Sequence, residues 1–272
     1  MSHSPTSYPE VNAIICELLT GVQDILKENF VGMYLHGSLA SGDFNPEASD
    51  IDFVVVTAQE LTAEIISALE NLHNRLNTSN SEWAKKLEGT YIPRKEFRRY
   101  NPNDGPYPST NEGRFYLASH ENHWVLARHI LRENGVIVAG ADPKTLIDPV
   151  SADEIRQAVI AFLNEWWSPM LDNPFRLQSA EYQAYAVLTM CRALYTLENG
   201  TIASKPVCAR WAQETLDERW VPLIDRAWLG RQNAGMKAEA DDVNETLEFI
   251  RYTLAVCRRE ARKSITSGRL QI

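Results

Sequence analysis

Asp50 and Asp52 lie two residues apart at the head of Ile51-Asp-Phe-Val-Val-Val-Thr57, a run so rich in β-branched residues that it reads as a buried strand. Alternation along a strand puts both carboxylates on one face and turns Ile51 and Phe53 to the other, into a core. Carboxylates held so close repel each other unless a divalent cation bridges them. Oxygen-only ligands favour Mg²⁺ over zinc. An earlier extended segment, Val31-Gly-Met-Tyr-Leu-His-Gly37, is closed by a small Gly37-Ser38 turn. The backbone N–H groups of that turn and the Ser38 hydroxyl suit terminal phosphate oxygens. Asp-x-Asp alone arises often by chance. A Gly-Ser turn ending one strand, followed after a short loop by Asp-x-Asp on the next, specifies a phosphate and metal site far more closely.

The periodicity around this core sets the fold class. Val11, Ile14, Ile15, Leu18, Leu19, Val22, Ile25 and Leu26 recur at helical spacing and predict a helix over residues 8–29. Ser7 with Glu10 has the form of a capping box at its start. Residues 62–77 predict a second helix and Leu87–Ile92 a third strand, ended by Pro93. Residues 100–111 carry three prolines and a glycine and read as a loop. A helix over 115–133 and a strand over 135–140 follow. Beyond Asp148-Pro149 every periodic segment is helical, beginning with a Ser151/Glu154 capping box. The expected architecture is an α/β domain with a mixed sheet over 1–148 and an all-α helical bundle over 149–272.

Charge narrows the function. Asp and Glu number 36 against 27 Lys and Arg, a net charge of -9, which excludes a general nucleic-acid binder. No stretch approaches the length of a membrane span, and the first residues lack a secretory pattern, so a cytoplasmic protein is expected. Cys16, Cys191, Cys208 and Cys257 have neither CxxC nor zinc spacing and read as reduced thiols. His120-x-x-His123, without further ligands, reads as structural rather than as a zinc site.

Gly37-Ser38, a loop, then Ser49-Asp-Ile-Asp52 on a strand resembles the signature of the nucleotidyltransferase superfamily. Leu87-Glu-Gly-Thr-Tyr, Val138-Ala-Gly140, Ile147-Asp-Pro-Val150, Leu188-Thr-Met-Cys-Arg-Ala-Leu-Tyr195, Gly200-Thr-Ile-Ala-Ser-Lys205, Ala209-Arg-Trp-Ala212 and Ala227-Trp-Leu-Gly230 are similar to the streptomycin/spectinomycin aminoglycoside adenylyltransferases. That resemblance implies transfer of the adenylyl group of ATP, with Mg²⁺, to a hydroxyl of a cationic acceptor, and release of pyrophosphate. ATP would bind in a cleft between the domains of a monomer. Asp50 and Asp52 would hold metal, with Glu88 at the position of the catalytic glutamate as base, metal ligand or both. Arg192 and Lys205 match nucleotide-contacting positions, cations that a triphosphate requires beyond Mg²⁺. Ser49 would add a hydroxyl, and Trp228 an aromatic near the base or ribose.

The acceptor pocket departs from the pattern. Tyr182, with Glu181 beside it, stands where the family has an aspartate, and His123 replaces another aspartate near the nucleotide. Glu112, Glu165, Trp166, Trp167 and Asp172 are the nearest candidates for an acidic, aromatic acceptor site, with core packing expected for at least one tryptophan. Two alternatives stand beside this reading. One is the same chemistry on another small-molecule or protein hydroxyl. The other is a nucleotide-binding regulator without turnover, against which the intact Asp50, Asp52 and Glu88 argue. A net negative field would favour a polycationic acceptor.

Overall fold

The computed structural model describes residues 5–79, 81–231 and 240–266. It divides into two compact units, Met1–Val150 and Ser151–Ile272.

In the first unit, helix α1 (Pro9–Leu26) leads into strand β1 (Phe30–Leu35), the short helix α2 (Gly37–Ser41) and strand β2 (Ile51–Thr57). Helix α3 (Ala63–Asn77), strand β3 (Leu87–Pro93), the turn-length helix α4 (Arg94–Phe97) and the hairpin β4 (Tyr107–Asn111) and β5 (Arg114–Ala118) follow. Helix α5 (His123–Asn134) and strand β6 (Val136–Gly140) complete the unit. The strands form one sheet in the order β5-β4-β3-β2-β1-β6. It is mixed: β2 and β3 run parallel, and the other pairs are antiparallel.

Alternation divides the sheet residues between two cores. Met33, Leu35, Ile51, Phe53, Val55, Leu87 and Tyr91 face α1 and α3, packing on Val11, Ile14, Leu18, Leu69 and Leu72. Tyr34, Val54, Val56 and Ile92 face the other way and pack with Phe97, Tyr107, Leu131 and Ile147. Burying each such large apolar side chain is worth roughly 1.5–3 kcal/mol, which fixes the register: a one-residue slip would exchange the two faces. Asp52 shares its face with Val54, and Glu88 with Thr90 and Ile92. The parallel pairing sets Asp52 opposite Glu88. The face that carries Asp52 and Glu88 is therefore a consequence of core packing on their strands.

The second unit is helical. The predicted capping box is present: Ser151 accepts from the Glu154 N–H and the Glu154 carboxylate returns to Ser151, opening helix α6 (Ala152–Phe162). A π-helical turn, Leu163–Trp167, continues it. Helix α7 (Ala180–Asn199) buries Ala184, Val187, Leu188, Cys191 and Leu194. It packs against α8 (Lys205–Thr215), α9 (Val221–Gly230) and α10 (Ala240–Thr266). All four cysteines are free thiols, and only Cys16 is exposed. No helix among the described residues is long and apolar enough to cross a membrane.

Three local expectations are corrected. Residues 107–111 form β4 rather than loop, and 114–118 form β5 rather than the start of a helix. The cause is the two-residue turn Glu112-Gly113, both at positive φ (49° and 72°), which pairs Asn111 with Arg114 and makes a hairpin. The helix starts only at His123, so His120 lies before it rather than on it. Ser7 does not cap α1: the N-cap is Tyr8, without a side-chain cap, and Thr6 bonds Asn12 instead.

Candidate active site

The site starts at the turn between β1 and α2. Gly37 has φ 58°, and a Cβ there would lie 1.8 Å from Asp52 Oδ2. The Asp52 carboxylate thus rests on the bare Cα of Gly37, while the His36 N–H donates to the Asp52 carbonyl at 3.0 Å. Only glycine satisfies both the left-handed backbone and this approach. Gly37→Ala is expected to cost about 2 kcal/mol or more of stability and to displace Asp52, seen as a lowered Tm together with lost turnover. The first N–H groups of α2, including that of Ser38, have no acceptor within the helix and are available to an anion.

The loop that delivers Asp50 is pinned from several sides. The Ser49 Oγ accepts the Asn45 N–H at 3.0 Å, and the Ser49 N–H donates to the Asn45 carbonyl at 2.8 Å. Ser49 is 6% exposed, so its hydroxyl is engaged in closing the turn. Lys86 Nζ donates to the Pro46 carbonyl at 2.8 Å and sits over the Trp83 ring. Trp83 in turn packs on Phe44, and Phe44 on Tyr8. Asp50 is exposed and Asp52 half-buried.

Glu88 lies across from Asp52 on β3, half-buried. Burial, then the charges of Asp52, Asp50 and Glu112, push its carboxyl up to about 7. That value leaves it able to take and return a proton near neutral pH. On its other side Asn111 of β4 places Nδ2 3.5 Å from Glu88 Oε1. Gly89 is required beside it, since the Phe53 ring passes 2.4 Å from where a Cβ would stand. Two residues on, Thr90 shares hydrogen bonds with Ser109 (3.1 Å) and His120 Nε2 (3.3 Å). His120 stacks on Trp124 at 3.6 Å, and Trp124 meets His36 just before the Gly37 turn. Burial lowers the proton affinity of both histidines, so both are neutral at physiological pH.

Among the described residues no three His, Cys, Asp or Glu side chains converge closely enough to hold a metal ion by themselves. Two carboxylates at i and i+2 nevertheless fit Mg²⁺, which typically takes one or two carboxylates and completes its shell with phosphate oxygens and water. The donor set is all oxygen, as that ion prefers.

Gly37, Ser38, Asp50, Asp52 and Glu88 are brought together, and Glu112 is near enough to act on the charge of Glu88. In the second unit Arg192 is half-buried on α7, with no ion pair or side-chain hydrogen bond among the described residues. Lys205 opens α8, which packs on α7. Trp228 is half-buried on α9, with the Arg231 guanidinium 5.7 Å from its ring. Trp167 is fully buried and Trp166 38% exposed, so the adjacent tryptophans divide into core and surface. Tyr182 packs on Trp167, whereas Glu181, Glu165 and Asp172 are exposed. His123, the first residue of α5, is exposed and 3.9 Å from the Glu121 carboxylate.

Sequence reasoning missed Asn111 and Lys86. The first depends on strand register across a hairpin read as loop, and the second on a contact between segments far apart in the chain. A Thr-Asn-Glu-Gly stretch with its turn signal was the available clue for Asn111.

Comparison with known proteins covers both units. A model described as nucleotidyltransferase domain matches residues 15–105. One described as aminoglycoside adenylyltransferase, C-terminal domain, matches residues 145–256. An aminoglycoside (3'') (9) adenylyltransferase of Escherichia coli is 25% identical over 260 residues, covering 89% of this chain and 94% of that protein. A spectinomycin 9-adenylyltransferase of Campylobacter jejuni is 26% identical over 220 residues, covering 78% and 81%. The crystal structure of a spectinomycin adenyltransferase from Enterococcus faecialis with ATP and spectinomycin superposes with a TM-score of 0.69 at 20% identity. It covers 89% of this chain and 98% of that one, and it shows the same fold.

Proposed function

The chain belongs to the aminoglycoside adenylyltransferase family of nucleotidyltransferases, and from that premise we propose that it adenylylates a hydroxyl of an aminocyclitol or aminoglycoside, consuming ATP with Mg²⁺ and releasing pyrophosphate. One observation carries the reading: Asp52 and Glu88 face each other on adjacent parallel strands against the Gly37 turn, with Asp50, just before β2, near enough to act on the charge of Glu88. A bound Mg²⁺ would neutralise phosphate charge and stabilise the attacking and leaving oxygens.

The chain's own residues supply the rest. The Gly37-Ser38 turn offers N–H groups and a hydroxyl to phosphate oxygens. Asp50, from a pinned loop, and Asp52, from the strand, are the residues that would hold Mg²⁺ with the nucleotide phosphates. Glu88 accepts the proton of the acceptor hydroxyl, which then attacks the α-phosphorus as pyrophosphate departs. Arg192 and Lys205 bring positive charge for the triphosphate, and the Arg192 guanidinium, without an ion pair among the described residues, fits that role. Trp228 offers an aromatic surface to the base or ribose.

Asn111 is proposed to orient the Glu88 carboxylate. Asn111→Ala is expected to lower kcat about 10-fold with the KM for ATP little changed, since the hydrogen bond acts on the base rather than the nucleotide. Steady-state kinetics at saturating acceptor check this.

The function itself is tested by expressing the chain in a susceptible bacterium against a panel of aminoglycosides and spectinomycin. Raised resistance to a member of the panel is expected, and it should disappear with Asp50→Ala. Unchanged susceptibility to every drug in a strain that contains folded protein would sink the acceptor class.

A further inference from the structure

Beside the carboxylates, the first unit buries an imidazole that the proposed chemistry does not use. His120 is 6% exposed and lies between β5 and α5. Its ring is held between two others: Trp124 of α5, stacked at 3.6 Å and 10°, and Tyr107 of β4, at 4.3 Å and 43°. The edge of the ring meets β3, with Nε2 3.3 Å from Thr90 Oγ1. The Thr90 hydroxyl donates to the Pro108 carbonyl at 3.3 Å and accepts from Ser109 Oγ at 3.1 Å. Its remaining lone pair faces the imidazole, which assigns the ring proton to Nε2. Nδ1 is buried and has no hydrogen-bond partner among the described residues. A half-satisfied imidazole in such a slot costs stability that an apolar ring would not, so its presence calls for a use.

Both sides of the ring lead toward the candidate active site. Thr90 follows Glu88 by two residues on the same face of β3, so what fixes the Thr90 hydroxyl fixes the strand beneath the base. Trp124 lies 6.3 Å from the His36 ring. His36 is the N-cap of α2 and bonds the Asp52 carbonyl immediately before Gly37. Helix α5 itself packs on α2. Trp124 is anchored in turn by Arg128, whose guanidinium lies 5.9 Å from its ring and donates to the Trp124, Phe97 and Glu96 carbonyls. The Tyr100 hydroxyl donates to the His120 carbonyl at 3.4 Å. One side chain thus touches the base-bearing strand by its edge and the support of the phosphate turn by its face.

We propose that His120 is a positioning residue that holds Glu88 and the Gly37 turn in register, its Nε2–H setting β3 and its ring face setting the turn through Trp124 and His36. The proposal rests on the reading of the Gly37 turn as the nucleotide site and of Glu88 as the base. The two contacts use different parts of the side chain and are separable. His120→Phe keeps a ring against Trp124 and loses the hydrogen bond. His120→Gln keeps an N–H at the place of Nε2 and loses the stack.

The test is calorimetric titration of each protein with ATP and Mg²⁺, beside steady-state kinetics with a drug that the unaltered chain adenylylates. His120→Gln is expected to bind ATP about 10-fold more weakly, as is Trp124→Leu, with His120→Phe within about 2-fold of the unaltered chain. In kinetics, kcat should fall about 10-fold in His120→Phe and by a similar factor in Thr90→Val. The double variant should lose no more than either single one, because both remove the same bond. Melting curves accompany each variant, since a ring that only filled space would lower the Tm without splitting ATP affinity from kcat. Unchanged ATP affinity in both folded His120→Gln and Trp124→Leu, full kcat in folded Thr90→Val, or losses that multiply in the double variant would overturn the proposal. Drugs left unmodified by a chain whose ATP affinity falls as stated would remove the acceptor class and leave His120 in its role.

Discussion

Replacing Glu88 by glutamine is expected to lower kcat by about 10²- to 10⁴-fold while ATP still binds, because the amide keeps the shape of the carboxylate and cannot take a proton. The same group sets the pH dependence. Burial and the charges of Asp52, Asp50 and Glu112 raise its carboxyl to about 7. The acceptor kcat/KM should therefore climb with pH as this carboxyl ionises, with a midpoint raised by burial and brought below about 7 where Mg²⁺ held by Asp50 and Asp52 would offset their charge. Stability runs the other way. A carboxyl raised above its unfolded value of 4.5 contributes stability that is fully present below that pH and is lost as the pH rises through about 7, leaving it ionised beside like charges. Glu88→Gln should thus keep or raise the Tm at pH 8 while losing turnover. A variant that melts early would instead mean that Glu88 serves the fold.

Asp52→Asn and Asp50→Ala are expected to reduce turnover about 10³-fold or more, the rate equivalent of the several kcal/mol that a bound cation supplies. Each also removes a negative charge from the surroundings of Glu88, which Asp52, Asp50 and Glu112 all act on. Mg²⁺ with ATP stabilises whichever state binds it and should raise the Tm of the unaltered chain. That increment should vanish in Asp52→Asn. Turnover within 10-fold of the unaltered protein in either variant would remove the two aspartates from the chemistry.

Much of this site is legible in the sequence because it lies on strands whose cores specify them. Ile51, Phe53 and Val55 must face α1 and α3, and that alone sends Asp52 to the opposite face. Gly37 announces itself through the backbone it permits. The β4–β5 hairpin was not legible: its prolines and polar residues match loop statistics, and a non-glycine residue at positive φ, Glu112, sits in its turn. Asn111 was lost with it.

The most direct test of the central claim is the mass of the acceptor after incubation with the chain, ATP and Mg²⁺. Spectinomycin heavier by one adenylyl group, formed in step with pyrophosphate and absent with Glu88→Gln, is the predicted result. Unmodified spectinomycin and aminoglycosides alongside protein that binds ATP, or adenylyl label retained on a protein instead, would contradict it.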